Sequence, residues 1–381
     1  MEKFFKLKEK GTDVRTEMIA GITTFMTMAY ILAVNPSILG ATGMDSGAIF
    51  TATALASAIA SFCMAFLANL PFVLSAGMGL NAYFAYTVVL GMGYSWEVAL
   101  TAVFAEGLVF ILLSLTNVRE AIFNAIPQTL KYGVSVGIGL FICFIGLQNA
   151  HIAVDSSTLV TIFSFSQSVK AGTFNSEGIT VLLALIGIII TGYLVIKGVK
   201  GNILIGIFVT WILGILCQLA GLYVPNPDAG FYSLIPSGVV SMPASIAPTL
   251  FKFDFSIIAE HPLDFFSVLF AFLFVDIFDT LGTLIGCASK ADMLDKDGKL
   301  PEIKGALLAD SIGTVVGACL GTSTITTFVE SSSGIAEGGR TGLTAVVSGI
   351  FFLLALFFSP IFLAIPSFAT APALVIVGFL M

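Results

Sequence analysis

The chain has 381 residues, of which 57% are apolar and only 10% charged, with a formal net charge of −7. Soluble domains carry about 25% charged residues, so this composition excludes a soluble enzyme or a nucleic-acid-binding protein and describes a polytopic α-helical membrane protein. The net charge itself says little, because orientation in a membrane follows Lys and Arg and hardly Asp and Glu.

Apolar stretches of about 20 residues, each long enough to cross roughly 30 Å of hydrocarbon, recur from end to end. In chain order the predicted spans are 17–39, 47–69, 72–92, 96–116, 126–148, 178–197, 202–222, 264–287, 303–321, 322–339, 341–359 and 361–381. With a cytoplasmic N-terminus, fourteen of the sixteen basic residues fall on the inner side. They are Lys3, Lys6, Lys8, Lys10 and Arg15 before the first span, and Arg119 and Lys131 around the loop after the fourth. Lys197 and Lys200 follow the sixth, Lys290, Lys296, Lys299 and Lys304 the eighth, and Arg340 the tenth; Lys170 and Lys252 fall outside. The positive-inside rule thus points to a multi-pass protein of the cell membrane with its N-terminus in the cytoplasm. The basic N-terminal stretch leads into a full span without a short apolar region and cleavage site, so it is no secretory signal. The five cysteines lack paired spacing and read as small buried hydrophobes. His151 and His261 sit at span ends, and no metal or cofactor is expected.

The long loop 223–263 separates seven spans from the next five and marks a boundary between halves. Aligning 52–77 with 305–330 without gaps pairs Leu55 with Leu308, Ala56 with Ala309, Ile59 with Ile312, Ala65 with Ala318 and Leu67 with Leu320. The same alignment brings "VLSAGMGLNAYF" (73–84) of the third span to the segment around Glu330 in the tenth. Short Gly- and Ser-rich interruptions at corresponding places of two halves point to the binding site of a transporter with inverted repeats. The third and tenth spans run in opposite directions, so the repeat is inverted. Both are expected to be broken by short extended segments that face one another. Seven spans in the first half imply seven in the second, so about twelve of fourteen are expected here, with the C-terminal end missing.

Asp276 and Asp279 lie within "FLFVDIFDTLGTLIG" (272–286), and Glu330 within "GTSTITTFVESSSGIAEGGRTGLTA" (321–345). A carboxylate at bilayer depth is costly and marks a substrate pathway, a proton relay or a ligand site by default. Ser75, Gly77, Gly79 and Asn81 of the third span offer backbone N–H groups and one amide. Acids with backbone donors suit a flat, neutral, hydrogen-bonding solute better than a strong anion. For the glycines, close helix packing is an equal reading. Asp276 has a structural reading too, Asp310 reads as a tie between helices, and the lone Glu106 as structural.

Four segments, "GTDVRTEMIAGITTFMTMAYILAVNPSIL" (11–39), "SAGMGLNAYFAY" (75–86), "FVDIFDTLGTLIG" (274–286) and "TTFVESSSGIAEGGRTGLTA" (326–345), together resemble the AzgA-type purine permeases, a branch of the nucleobase–ascorbate transporter superfamily. The resemblance covers nearly the whole chain. It implies fourteen helices in two inverted repeats of seven, arranged as a core domain and a gate domain. On this chain the core falls at 1–116 and 264–359 and the gate at 117–222 and 360–381, with 223–263 an extracellular loop. It further implies uptake of guanine, hypoxanthine or adenine coupled to protons. The substrate acids fall on Asp279 and Glu330, with Asp276 and Asn81 as further functional positions. The expected substrate contacts are Asp279, Glu330, Gly77, Met78, Gly79, Asn81, Ser331 and Ser332, with Phe328 or Tyr83 for stacking. Proton coupling is expected at Asp276, Asp279 and Glu330. The partners expected are a purine nucleobase, a proton and the lipid bilayer, with a homodimer left open. Transport of another nucleobase, or of a small anion on the same broad fold, is the alternative; an anion site would want Arg or Lys where this chain has acids. An enzyme would need a metal cluster or a nucleophile with its base, and no His lies within a span.

Overall fold

The computed structural model describes residues 2–116, 127–156, 159–226, 230–296 and 300–380. Arg119 and Lys299 lie outside the described residues, as do the side chains of Lys3, Lys131 and Lys290. The chain begins its first span with α1 (Val14–Met28), capped by Asp13, whose carboxylate accepts from the Thr16 amide. That amide also holds the Asp13 carboxyl below the usual carboxylate range. After a joint at Ala29 and Tyr30 the span resumes as α2 (Ile31–Gly40). Then follow α3 (Ser46–Leu67), capped by Asp45, and a three-residue strand β1 (Leu74–Ala76). A short α4 (Met78–Ala82) continues into wide π-helical turns over Tyr83–Gly91, and α5 (Trp96–Leu115) is capped by Ser95.

Next come α6 (Gln128–Asn149), a hairpin of β2 (Ala153–Ser156) and β3 (Leu159–Ile162), α7 (Ile179–Ile196) and α8 (Asn202–Leu219). The second half of the chain supplies α9 (Pro262–Lys290), α10 (Ile303–Leu320), β4 (Ile325–Thr327), α11 (Ser331–Ala336), α12 (Gly342–Ala355) and α13 (Ser367–Leu380). Among the described residues, eight helices are long and apolar enough to cross a membrane. Two more, Val136–Asn149 and Ser367–Leu380, are apolar but shorter. The remaining two predicted spans are the broken ones. This is a multi-pass membrane protein.

The chain divides into two compact units, one of residues 1–135 and 242–357, the other of residues 136–241 and 358–381. The long loop is therefore shared, its part up to Ser241 folding with the second unit and its part from Met242 with the first.

The first unit holds an internal two-fold pattern. Helix α3 packs on α12 as α10 packs on α5, and α1 packs on α12 as α9 packs on α5, while α3 and α10 meet each other. Close approach needs small residues, and Gly342 shows it. A Cβ there would stand 2.6 Å from the backbone Cα and O of Ala65. At the middle of this unit β1 and β4 pair antiparallel, with Leu74 opposite Thr327, Ser75 opposite Thr326 and Ala76 opposite Ile325. The Gly77 amide donates to the Thr324 carbonyl (3.0 Å) and the Phe328 amide to the Val73 carbonyl (3.0 Å), which extends the ladder at both ends. Every residue of β1 and β4 is buried. Extended backbone away from water must find its hydrogen bonds within the protein, and here each interrupted span satisfies the other.

In the second unit α7 packs on α8 and α13, with the Trp211 indole donating to the Leu234 carbonyl (2.8 Å). His151, just past α6, lies 3.2 Å from the Glu177 carboxylate. Among the described residues the five cysteines form no disulfide; Cys287 alone is buried and the other four are half-buried on their helices. This corrects the reading of all five as core residues: apolar spans present one face outward, and small thiols fit there too.

Candidate functional site

The antiparallel β1–β4 pair leads into α4 at one end and into α11 at the other, and α9 passes against β4, α4 and α11. Gly77 precedes α4 and Glu330 precedes α11, the two positions that the repeat alignment pairs. A Cβ on Gly77 would lie 2.9 Å from Thr326 Oγ1 and 3.4 Å from Asp279 Oδ2. The absent side chain thus leaves room for the Asp279 carboxylate, which takes a hydrogen bond from the Thr326 side chain. The Tyr30 hydroxyl donates to Glu330 Oε1 at 2.7 Å. Asp279 and Glu330 lie within electrostatic reach of each other and of the Tyr30 phenol. Both acids are half-buried, whereas Tyr30 is wholly buried.

The other expected residues divide into two groups. Asn81 is fully buried one turn into α4, where its Oδ1 accepts from the Ser323 hydroxyl; its Nδ2 has no hydrogen-bond partner among the described residues. Met78 is buried and Gly79 half-buried on the same short helix. Ser331 is buried, and its hydroxyl accepts from the Val73 amide (3.0 Å). The amides of Gly77, Ser331 and Ser332 are occupied by the carbonyls of Thr324, Phe328 and Val329. The Gly77 amide therefore braces the crossing, while those of Ser331 and Ser332 close the turn into α11. Phe328 is buried at 5% exposure, and Tyr83 meets Phe272 edge to face at 4.9 Å.

Asp276 lies three residues before Asp279 on α9. It and Asp310, both fully buried, share the Thr280 hydroxyl at 2.8 and 2.9 Å, so α9 and α10 are tied through one side chain. Glu106 accepts from the Thr324 hydroxyl (2.8 Å) and so steadies the approach to β4.

Three residues stand here that sequence reasoning did not select. Tyr30 reads as one aromatic among many, and the joint between α1 and α2 is what aims it. Thr326 sits in a Thr-rich run with nothing to single it out. Glu17 stands at the first residue of the predicted span 17–39, where a solvated acid is ordinary. It is instead fully buried, accepting from the Arg340 amide (2.8 Å), the Thr344 amide (3.1 Å) and the Thr344 hydroxyl (2.6 Å). The Arg340 guanidinium in turn donates to the carbonyls of Ile335 and Gly339 at 2.8 Å, closing the far end of α11.

Paired broken spans with two carboxylates beside them, Glu330 on the tenth span and Asp279 on α9, point within a multi-pass helical protein to a membrane transporter rather than an enzyme. Residues 15–381 match the Permease family model (Xan_ur_permease), and the chain belongs to that family. It is 46% identical over 396 residues to the guanine/hypoxanthine permease PbuG of Bacillus subtilis 168, covering all of this chain and 83% of that one. To the adenine permease AdeP of Escherichia coli K12 it is 42% identical over 382 residues, covering all of this chain and 80% of that one. The transmembrane domain of a cyanobacterium bicarbonate transporter, BicA, superposes with a TM-score of 0.68 at 17% identity. That match covers 96% of this chain and 87% of the other, a likeness of fold. The fold is the all-α arrangement of inverted repeats expected from the sequence.

Proposed function

We propose that this chain carries purine nucleobases (adenine, guanine or hypoxanthine) across the membrane as a proton-coupled secondary transporter. The observation that carries this reading is the meeting of Asp279 and Glu330 at the β1–β4 crossing. Two carboxylates accept hydrogen bonds and repel anions, so the fitting cargo is a neutral ring with several N–H donors. Most nearby backbone donors are already occupied, which leaves recognition to the acids. The names of the two relatives, one for adenine and one for guanine and hypoxanthine, support the same class.

In this reading the first unit is the core that holds cargo, and the second is the gate against which it moves in alternating access. The N-terminus is cytoplasmic. A proton taken up by Asp279, Asp276 or Glu330 crosses with the purine, so that the core moves one bare charge fewer through a medium that disfavours it. The test is uptake of labelled guanine, hypoxanthine and adenine by cells that lack their own purine uptake, with uracil and bicarbonate as contrasts. We expect saturable uptake of at least one purine, competed by the others. Uptake of bicarbonate or of uracil in place of every purine would overturn the assignment.

A further inference from the structure

We propose that Tyr30 sets how Glu330 reads its cargo: the phenol holds one carboxylate oxygen, so Glu330 presents the other as a single acceptor to an N–H of the purine. This inference rests on the purine reading given above. Tyr30 is wholly buried at the joint of the first span, where the Val34 amide closes on its carbonyl at 3.0 Å. Its hydroxyl reaches Glu330 Oε1 at 2.7 Å, a contact between residues three hundred positions apart in sequence. The Glu330 backbone is pinned as well, since its carbonyl accepts from the Ser333 amide at 2.9 Å. Its own backbone amide also bonds the carboxylate, and what can face a partner is the remainder of this half-buried group.

A buried phenol needs a partner in any case, so a purely structural role for Tyr30 must be told apart from a positioning one. The chemistry of the cargo does this. An open carboxylate takes two adjacent donors side by side, as it takes a guanidinium. Guanine brings such a pair, its ring N1–H and its 2-amino group; hypoxanthine brings the N1–H alone. With Tyr30 in place the second donor of guanine competes for Oε1. Without the phenol oxygen it does not.

The experiment compares guanine and hypoxanthine uptake by wild type and Tyr30→Phe, with kcat and KM measured for each. Loss of a hydrogen bond to a charged group changes affinity by about tenfold or more. We therefore expect the KM for hypoxanthine to rise about tenfold in Tyr30→Phe. The guanine-to-hypoxanthine ratio of kcat/KM should shift toward guanine by a similar factor. Equal change for both purines, or none, would overturn the inference while leaving the purine reading standing. Wild-type protein that takes up neither purine overturns both. If Tyr30→Phe fails to insert, the comparison passes to Tyr30→His, whose ring N–H keeps a donor, and Tyr30→Leu, which has none. The two should then differ in preference, and identical preference would count against the proposal.

Discussion

Each of the two acids at the crossing has a hydroxyl for a neighbour: Tyr30 on Glu330 and Thr326 on Asp279. These donors replace part of the water that a carboxylate loses on burial. Removing a charge while keeping the shape isolates what the charge does. We expect Glu330→Gln and Asp279→Asn each to lower purine uptake by about ten- to a hundredfold, with unchanged abundance in the membrane by immunoblot. Uptake at the wild-type level in either variant would remove that acid from the site. Glu17 makes a different prediction. Its replacement by Ala takes the carboxylate acceptor from the Arg340 amide and leaves the Thr344 amide and hydroxyl only weaker backbone acceptors, the Thr341 and residue 17 carbonyls. A buried unsatisfied polar group costs about 1–3 kcal/mol, so thermal unfolding in detergent should drop by several degrees. At this scale the sequence was half legible. Asp279 and Glu330 stood out because acids are rare in apolar stretches. Tyr30 and Glu17 did not, because their partners lie about three hundred residues away and only the tertiary fold brings them together.

The broken third and tenth spans form the crossing beside which Asp279 and Glu330 lie. Gly, Ser and Thr in place of apolar residues predicted the interruptions, and β1 and β4 lie where they were expected. The strand register could not be read, because it depends on how α3 and α10 meet. Nor could the sequence say that the amides of Gly77, Ser331 and Ser332 would be taken by neighbouring carbonyls. Two glycines test this geometry in opposite ways. In Gly77→Ala the new methyl would stand 2.9 Å from Thr326 Oγ1 and 3.4 Å from Asp279 Oδ2. Side chains can yield there, so uptake should fall while the melting temperature changes little. In Gly342→Ala the methyl meets the Ala65 backbone at 2.6 Å, which cannot yield without parting α3 from α12. That variant should lose thermal stability. A Gly342→Ala protein as stable as wild type would show that the two helices are not held at this distance.

For the whole molecule, composition was enough to place the chain in a membrane, since 57% apolar residues in long runs leave no other medium for it. Membership of the Permease family fixes what kind of machine it is, and the likeness to a solved bicarbonate transporter shows its fold. Such a fold hosts more than one cargo, and function has to be argued from the site. Coupling belongs to this scale as well. An imposed inward proton gradient should drive purine accumulation and a protonophore should abolish it; accumulation that follows sodium instead would set the proton aside and leave the cargo assignment untouched. The central claim is that Asp279 and Glu330 together bind the purine, and equilibrium binding of labelled guanine, hypoxanthine and adenine to purified protein tests it most directly. We expect saturable binding of at least one of them by wild type, lost in both Glu330→Gln and Asp279→Asn while both variants melt near the wild-type temperature. Undiminished binding in the Glu330→Gln, Asp279→Asn double variant would contradict it.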